Sequence, residues 1–147
     1  MTTIATNRKA FYEYVVEEEF EAGIVLNGPE VKSLRQHGCS LQESYARPVG
    51  DEMYLIGMHI APYEKATTEV LVPDRNRKLL LHRREMNYII SKCTQGGYTL
   101  IPLKIYFKRG WAKVRLGLAR RKKREDKRQK LIENQEFDEA RRHLKRR

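Results

Sequence analysis

The sequence predicts an all-β fold. Apolar and polar residues alternate with a period of two in several short segments, most clearly over residues 100–107 and 112–118, and this period buries one face of a strand. Short turn segments at residues 50–52 and 108–110 each suit an antiparallel hairpin. No pattern indicates a parallel crossover. The observations fit an antiparallel OB-like β-barrel of about six strands with two or three short helices.

The first half of the chain is predicted to supply four of these strands. Aromatic and β-branched residues favour strands over residues 10–16, 20–26, 45–49 and 53–60. Residues 69–72 are a candidate for a further short strand, and a disordered loop over residues 61–68 is the alternative. Pro62 and Pro73 limit any strand in this region, and the sequence leaves both alternatives open.

Two helices interrupt the strands. The first follows Asn27-Gly28-Pro29, because proline suits a first helical turn and the Asn27 to Glu30 spacing resembles a capping box. It is expected to end at Gly38, with a left-handed residue at that position. Leu79, Leu80 and Leu81 are expected to lead into the second helix, which ends at Gly96-Gly97. Its inward positions recur at helical spacing and are Met86, Ile89, Ile90 and Cys93.

The last two strands are predicted to form a hairpin with one buried and one exposed face. The residues assigned to the buried face are Ile101, Leu103, Ile105, Phe107, Ala112, Val114, Leu116 and Leu118. Basic and aromatic residues share the exposed face, namely Lys104, Tyr106, Trp111, Lys113 and Arg115. This mixture suits single-stranded or looped nucleic acid, but it is equally typical of an ordinary solvated sheet face.

Positive charge is concentrated at the C-terminal end. The chain carries a net charge of +11, yet residues 1–103 hold 12 basic and 13 acidic side chains. Residues 104–147 hold 18 basic and 6 acidic side chains, which indicates a polyanionic partner. We expect residues 1–119 to form the barrel and residues 120–147 to form a basic tail. The tail is expected to be disordered when free and helical when bound, although a merely solubilising tail is the alternative.

Several other classes of protein are not indicated by the sequence. It has no phosphate-binding glycine loop, no serine elbow and no partnered acid and base, so we expect neither catalysis nor a cofactor. His37 and Cys39 lack a second ligand pair with zinc-like spacing, so no metal is expected. No apolar run has membrane-spanning length and no secretory segment begins the chain, so we expect a cytoplasmic protein.

Beyond these patterns, the chain resembles the SsrA-binding protein family, also called small protein B. The resemblance extends over nearly the whole chain and is specific only when its blocks are combined. The matching blocks are Asn7-Arg8-Lys9-Ala10, Phe20-Glu21-Ala22-Gly23-Ile24, Gly28 with Glu30-Val31-Lys32-Ser33-Leu34-Arg35, Ser44-Tyr45, Arg77-Lys78-Leu79-Leu80-Leu81-His82, Gly97-Tyr98-Thr99 with Pro102-Leu103, and Lys122-Lys123 with Asp126-Lys127-Arg128.

The resemblance implies a non-catalytic RNA-binding factor for trans-translation, the rescue of stalled ribosomes. The barrel is expected to bind the tRNA-like domain of transfer-messenger RNA through Glu21, Leu80 and His82. The same role is extended to four further residues, Asn7, Lys9, Lys32 and Arg35. Core packing is the alternative for Leu80. A general RNA-binding OB protein and a nuclease are the alternative functions.

The resemblance also assigns a role to the tail. It is expected to enter the vacant messenger channel of the small subunit near the decoding region and to become helical there. The residues that match this segment are Lys122, Lys123, Asp126, Lys127 and Arg128. Arg121 replaces the family's usual glycine, and Glu125 replaces the usual aromatic residue or histidine. The protein is expected to act as a monomer.

Overall fold

A computed structural model describes residues 1–62 and 72–122, and within them the chain forms seven strands and three helices. Every strand pairing is antiparallel. In chain order the elements are β1 (Thr2–Thr6), α1 (Arg8–Glu13), β2 (Tyr14–Ile24), α2 (Gly28–His37), β3 (Tyr45–Val49), β4 (Glu52–Ile56), β5 (Arg77–Leu80), α3 (Arg83–Gly96), β6 (Thr99–Lys108) and β7 (Trp111–Arg121).

The sheet closes on itself through its longest strands. Its order is β1-β6-β3-β4-β5-β2-β7, and β6 also pairs with β7. Six strands therefore form a ring of pairings, with β1 added along β6. The link between β3 and β6 is a single pair, Ala46 with Leu100. This arrangement is compatible with an OB-like barrel, and the predicted antiparallel all-β class is confirmed.

A β-bulge in β6 divides its buried residues between two cores. The register with β7 shifts between Pro102 and Lys104, so that Leu103 is an extra residue. An extra residue reverses the alternation of side chains beyond it. The prediction that the odd-numbered apolar residues of β6 share one face is therefore wrong. Leu100, Ile105 and Phe107 lie in the main core, whereas Ile101 and Leu103 lie in a smaller core with Ala10 and Ala119.

A second bulge has the same effect in β2. Its register with β7 shifts between Val16 and Glu18. The residues before the bulge, Tyr14 and Val16, pack on the smaller core. After the bulge, the residues that pack on or within the main core are Phe20, Ala22 and Ile24. The predicted alternation of residues 20–24 is confirmed, and the predicted buried face of β7 is confirmed by its fully buried Val114, Leu116 and Leu118.

The N-terminal segment differs from its prediction. Residues 10–13 were expected to be extended, but they belong to α1, while β1 was not predicted. Asn7 begins α1, because its Oδ1 accepts a hydrogen bond from the backbone N–H of Ala10 at 3.3 Å. This cap and the burial of Ala10 outweigh the strand preference of the neighbouring Phe11 and Tyr12, whose side chains are exposed.

Both predicted helices are present. At the start of α2, Glu30 N–H donates to Asn27 Oδ1 at 2.9 Å and Asn27 N–H donates to Glu30 Oε1 at 3.0 Å. These reciprocal bonds confirm the capping box. Gly38 follows α2 with a φ of 73°, and Gly97 follows α3 with a φ of 71°. Both glycines adopt the positive φ that ends helices at low steric cost.

The middle of the chain is partly as predicted. The β3–β4 hairpin is confirmed, but β4 ends at Ile56 rather than at residue 60. Residues 77–80 form β5 instead of leading directly into a helix. The undecided region at residues 61–72 falls largely on residues 63–71, which lie outside the described residues. Among the described residues, no helix has both the length and the apolar character needed to cross a membrane.

Candidate nucleic-acid interface

Glu21, Leu80 and His82 line one groove of about 690 Å³, which we call the main groove. The strand β2 supplies Glu21, the end of β5 supplies Leu80, and His82 lies just before α3. Within the barrel, β5 pairs with β2 so that Leu80 lies opposite Gly23. Three residues that are far apart in the sequence are therefore brought together by strand pairing.

Leu80 faces the main groove and is not part of the core. It is 52% exposed, whereas its neighbour Leu79 is 1% exposed. Gly23 makes room for it, because a Cβ atom at Gly23 would lie 3.3 Å from Leu80 Cβ. The core-packing alternative for Leu80 is thus excluded, and an apolar side chain is available to pack against a ligand in the groove.

Glu21 is held in its ionised form. The buried Tyr106 donates its hydroxyl hydrogen to the Glu21 carboxylate, and Lys108 Nζ lies 3.4 Å from both carboxylate oxygens. The hydrogen bond from Tyr106 is the largest cause that lowers the pKa of Glu21, and Lys108 lowers it further against the opposing effect of burial. Burial, followed by the bond to Glu21, raises the pKa of Tyr106 to about 12. Glu21 is therefore an acceptor at neutral pH.

His82 lies between β5 and α3, directly before the first residue of α3. Its backbone N–H donates to Glu85 Oε1 at 3.4 Å, which ties it to the first turn of the helix. The residue is exposed. Arg83 lies beside it and Lys113 lies across the groove on β7, so cations line the same cavity as Glu21. This combination offers an acceptor, an imidazole, an apolar side chain and positive charge to one ligand.

Asn7 and Lys9 line a second groove of about 280 Å³. Asn7 is 8% exposed, and its Nδ2 donates to the Pro102 carbonyl at 2.9 Å. Its side chain is therefore used by the fold. Lys9 is exposed and lies 3.1 Å from Glu43 and 3.9 Å from Glu13. The bond with Glu43 is the main cause that raises the pKa of Lys9.

Lys32 and Arg35 project from the exposed side of α2 and line neither groove. The Arg35 guanidinium lies 4.1 Å from the centre of the Phe107 ring, a cation–π contact that covers the end of β6. The structure therefore separates the seven predicted RNA-binding residues into three places. The largest set, three of the seven residues, lines the main groove.

The predicted exposed face of the last hairpin needs one correction. Tyr106 is 0% exposed, because its ring is buried and its hydroxyl reaches Glu21. It is therefore not available to stack on a base. Lys104, Lys113 and Arg115 are half-buried, and Trp111 is 73% exposed.

Of the five residues predicted to match the ribosome-binding tail, the structure describes Lys122. It is 8% exposed, and its Nζ donates to the Phe11 carbonyl at 3.0 Å. Its backbone N–H donates to the Glu13 carbonyl at 2.9 Å. The residue thus packs against α1. The other predicted tail residues, Lys123, Asp126, Lys127 and Arg128, lie outside the described residues.

The sequence reasoning missed three contributors to the main groove. Gly23 was part of the matching blocks but received no role, although glycine inside a strand often marks a close approach. Tyr106 was assigned to solvent, because its burial and its bond to Glu21 depend on residues of other strands. Lys113 was assigned to the outer face, and its place in the groove follows only from the pairing of β7 with Gly23 on β2.

The family model described as SmpB protein matches residues 4–146. The chain belongs to the SmpB family. The resemblance stated from the sequence is thereby confirmed.

Individual SmpB relatives match over most of their length. The SsrA-binding protein of Thermoanaerobacter pseudethanolicus is 49% identical over 142 residues, covering 97% of this chain and 91% of the relative. That of Anaeromyxobacter sp. is 45% identical, covering 98% and 87%. A solved structure described as "tmRNA-SmpB: a journey to the center of the bacterial ribosome" contains a chain that is 48% identical. The match has a TM-score of 0.68 and covers 86% of this chain and 92% of that one.

Proposed function

We propose that this chain binds the tRNA-like domain of transfer-messenger RNA and delivers it to stalled ribosomes for trans-translation. The observation that carries the proposal is the match, over nearly the whole chain, to proteins named SsrA-binding protein. The similarity to a chain from a tmRNA–SmpB structure supports the same partner and the bacterial ribosome.

The main groove is proposed as the part that holds the RNA. Glu21 is ionised and accepts hydrogen bonds from base or ribose donors. Leu80, which is 52% exposed, packs against a base. His82 stacks or donates a hydrogen bond, and Arg83 and Lys113 meet phosphates. Lys9, Lys32 and Arg35 are proposed to add phosphate contacts outside the groove.

The barrel and the tail are proposed to have separate roles. The barrel recognises the RNA, and the basic C-terminal tail enters the messenger channel near the decoding region of the small subunit, as a helix. The net charge of +11, concentrated after residue 103, favours such a path along ribosomal RNA. We propose that the protein acts in the cytoplasm as a monomeric binding factor, without a metal, a cofactor or a reaction of its own.

A competition titration at near-physiological salt tests the proposal. Labelled tRNA-like domain is bound to the full chain and challenged with excess ordinary tRNA and unstructured RNA, because salt suppresses non-specific electrostatic binding. We expect the labelled RNA to remain bound. Equal competition by all three RNAs would instead indicate a general RNA-binding OB protein.

Variants then locate the site. Glu21→Gln and His82→Ala are each expected to weaken binding of the tRNA-like domain by about 1–3 kcal/mol, because each removes a direct polar contact. Glu18→Gln is the matched control, since Glu18 also lies on β2 and also accepts a hydrogen bond from a tyrosine, Tyr88. Glu18 does not line the main groove. An equal loss of affinity in Glu18→Gln would show that the main groove is not the RNA-binding site.

A further inference from the structure

The tip of the β6–β7 hairpin, residues 108–111, presents a large exposed ring. It carries Trp111, the chain's single tryptophan, whose side chain is 73% exposed. A tryptophan buries more apolar surface than most side chains, so leaving it in water forgoes that stabilisation. The fold itself gives no reason for an aromatic residue at this position.

The hairpin tip is rigidly built. Lys108 and Trp111 are direct partners, so the turn between them has only two residues. These are Arg109 with a φ of 53° and Gly110 with a φ of 82°. Positive φ at both central residues is the conformation that matches the twist of a two-residue hairpin. The indole is therefore displayed on a defined turn, and little conformational entropy is lost when it contacts a ligand.

The hairpin tip continues the main groove. Lys113 lines that groove and lies two residues beyond Trp111 on β7, so both side chains point to the same side of the sheet, about 7 Å apart. Across the hairpin, Lys108 Nζ lies 3.4 Å from the Glu21 carboxylate oxygens. A ligand that occupies the main groove and extends along β7 therefore reaches the indole.

The charge around the indole is positive. Lys108 pairs with Glu21, and Arg115 lies 3.8 Å from Glu19. Arg109 and Lys113 form no salt bridge with any residue in the described part of the chain. An isolated ring flanked by cations does not form the broad apolar patch typical of protein docking. It suits an unpaired nucleotide, since a ring stacks on the base and cations hold the adjacent phosphates.

We propose that the hairpin tip is a second RNA contact, in which Trp111 stacks on an unpaired base of the RNA bound in the main groove. Arg109 and Lys113 bind the phosphates on either side of that base. The inference rests on the proposed function, because it takes the RNA in the groove as the ligand. It adds a point of recognition that follows from the exposure of Trp111 and from the path of β7.

The single tryptophan gives a direct measurement. The full chain is titrated with the tRNA-like domain while the intrinsic fluorescence and the affinity are recorded together. Stacking on a base is expected to quench the fluorescence in step with binding. Trp111→Ala is expected to weaken binding by about fivefold or more, while Trp111→Phe keeps the affinity within about threefold of wild type. Tyr12→Ala, which removes an exposed aromatic residue of α1, is the matched control.

The outcomes separate the inference from the function. Preferential binding of the tRNA-like domain, with unquenched fluorescence and an unchanged affinity of Trp111→Ala, would overturn the stacking contact and leave the proposed function standing. An equal loss in Trp111→Ala and Trp111→Phe would also overturn stacking. If wild type shows no preference for the tRNA-like domain over ordinary tRNA, the proposed function fails and the inference fails with it. Thermal melting of each variant verifies that the barrel is folded.

Discussion

Glu21 owes its lowered pKa first to a tyrosine that has no contact with solvent. Tyr106 is 0% exposed and donates its hydroxyl hydrogen to the Glu21 carboxylate, which lies at the edge of the main groove. Its hydrogen bond both orients the carboxylate and lowers the pKa of Glu21. Buried Tyr106 thus orients the exposed Glu21 carboxylate. Any effect of Tyr106 on RNA binding is expected to be indirect, because its own side chain is not exposed to a ligand.

The variant Tyr106→Phe tests this arrangement. Glu21 accepts hydrogen bonds when ionised, so its contribution to RNA binding is fully present above its pKa and is lost as the pH falls through that value. Without the tyrosine bond the pKa of Glu21 rises toward its ordinary value, and the loss of binding begins at a higher pH. We expect severalfold weaker RNA binding at neutral pH, because the carboxylate is less well oriented. Affinity measured between about pH 4 and pH 7 reports both effects.

Tyr88→Phe provides the matched control for that measurement. Tyr88 donates to Glu18, a neighbouring residue of β2 outside the main groove. Its removal is expected to leave both the affinity and the pH profile unchanged. If Tyr106→Phe behaved like Tyr88→Phe, Tyr106 would be a core residue without influence on the site.

At the scale of elements, one buried arginine connects α2 to the segment before β5. Arg77 is 0% exposed, and its Nε donates to Glu30 Oε2 at 2.9 Å. It also donates to the carbonyl oxygens of Met58 at 2.7 Å and Pro73 at 3.0 Å. These two carbonyls flank residues 59–72 at either end, so Arg77 fixes both ends of that segment. Glu30 is at the same time the N3 residue of the α2 capping box.

Replacing this arginine is expected to be costly. Arg77→Met removes the buried charged partner of Glu30 and the donor to the Met58 carbonyl, so we expect a loss of about 3–5 kcal/mol in the free energy of unfolding. Arg75 also pairs with Glu30, but its side chain is 38% exposed. Arg75→Met is therefore expected to cost clearly less. Urea denaturation of both variants measures the difference, and equal losses would contradict the special role of Arg77.

The elements also show how far local sequence determines this fold. The caps of α2, the glycine after α3 and the alternation in β7 depend on neighbouring residues, and all were predictable. The bulge at Leu103 and the short strand β5 depend on the pairing partner, which no local pattern reveals. Residues 10–13 were mistaken for a strand because the Asn7 cap outweighed their intrinsic preference.

The residues of the main groove also include some that the sequence predicted and some that it could not. Glu21, Leu80 and His82 were expected from the family resemblance, and the barrel brings them to one cavity. The roles of Gly23 and Tyr106 could not be predicted, because each depends on what lies across the strand: Leu80 opposite Gly23, and Glu21 within reach of the Tyr106 hydroxyl. The family likeness pointed to residues that line the main groove, whereas the residues that position them follow only from the fold.

At the scale of the whole molecule, the C-terminal end of β7 packs against the N-terminal part of the chain. The strand β7 continues to Arg121, which pairs with Tyr14, while Arg120 pairs with Val15. Arg121 also lies 5.0 Å from the centre of the Tyr14 ring. Lys122 then packs against α1 through its backbone and its Nζ. Residues 120–122 thus hold the N-terminal part of β2 and α1 in place.

Two truncations distinguish the barrel from the tail. A chain that ends after Lys122 keeps all of these contacts, so we expect wild-type thermal stability and nearly unchanged affinity for the tRNA-like domain, with loss of tagging of stalled chains. A chain that ends after Ala119 loses the last two strand pairs and the Lys122 contacts, and we expect it to melt several degrees lower. Melting curves, RNA titration and a tagging assay are measured on both. If the chain that ends after Lys122 lost RNA binding and tagging equally, RNA recognition would not belong to the barrel alone.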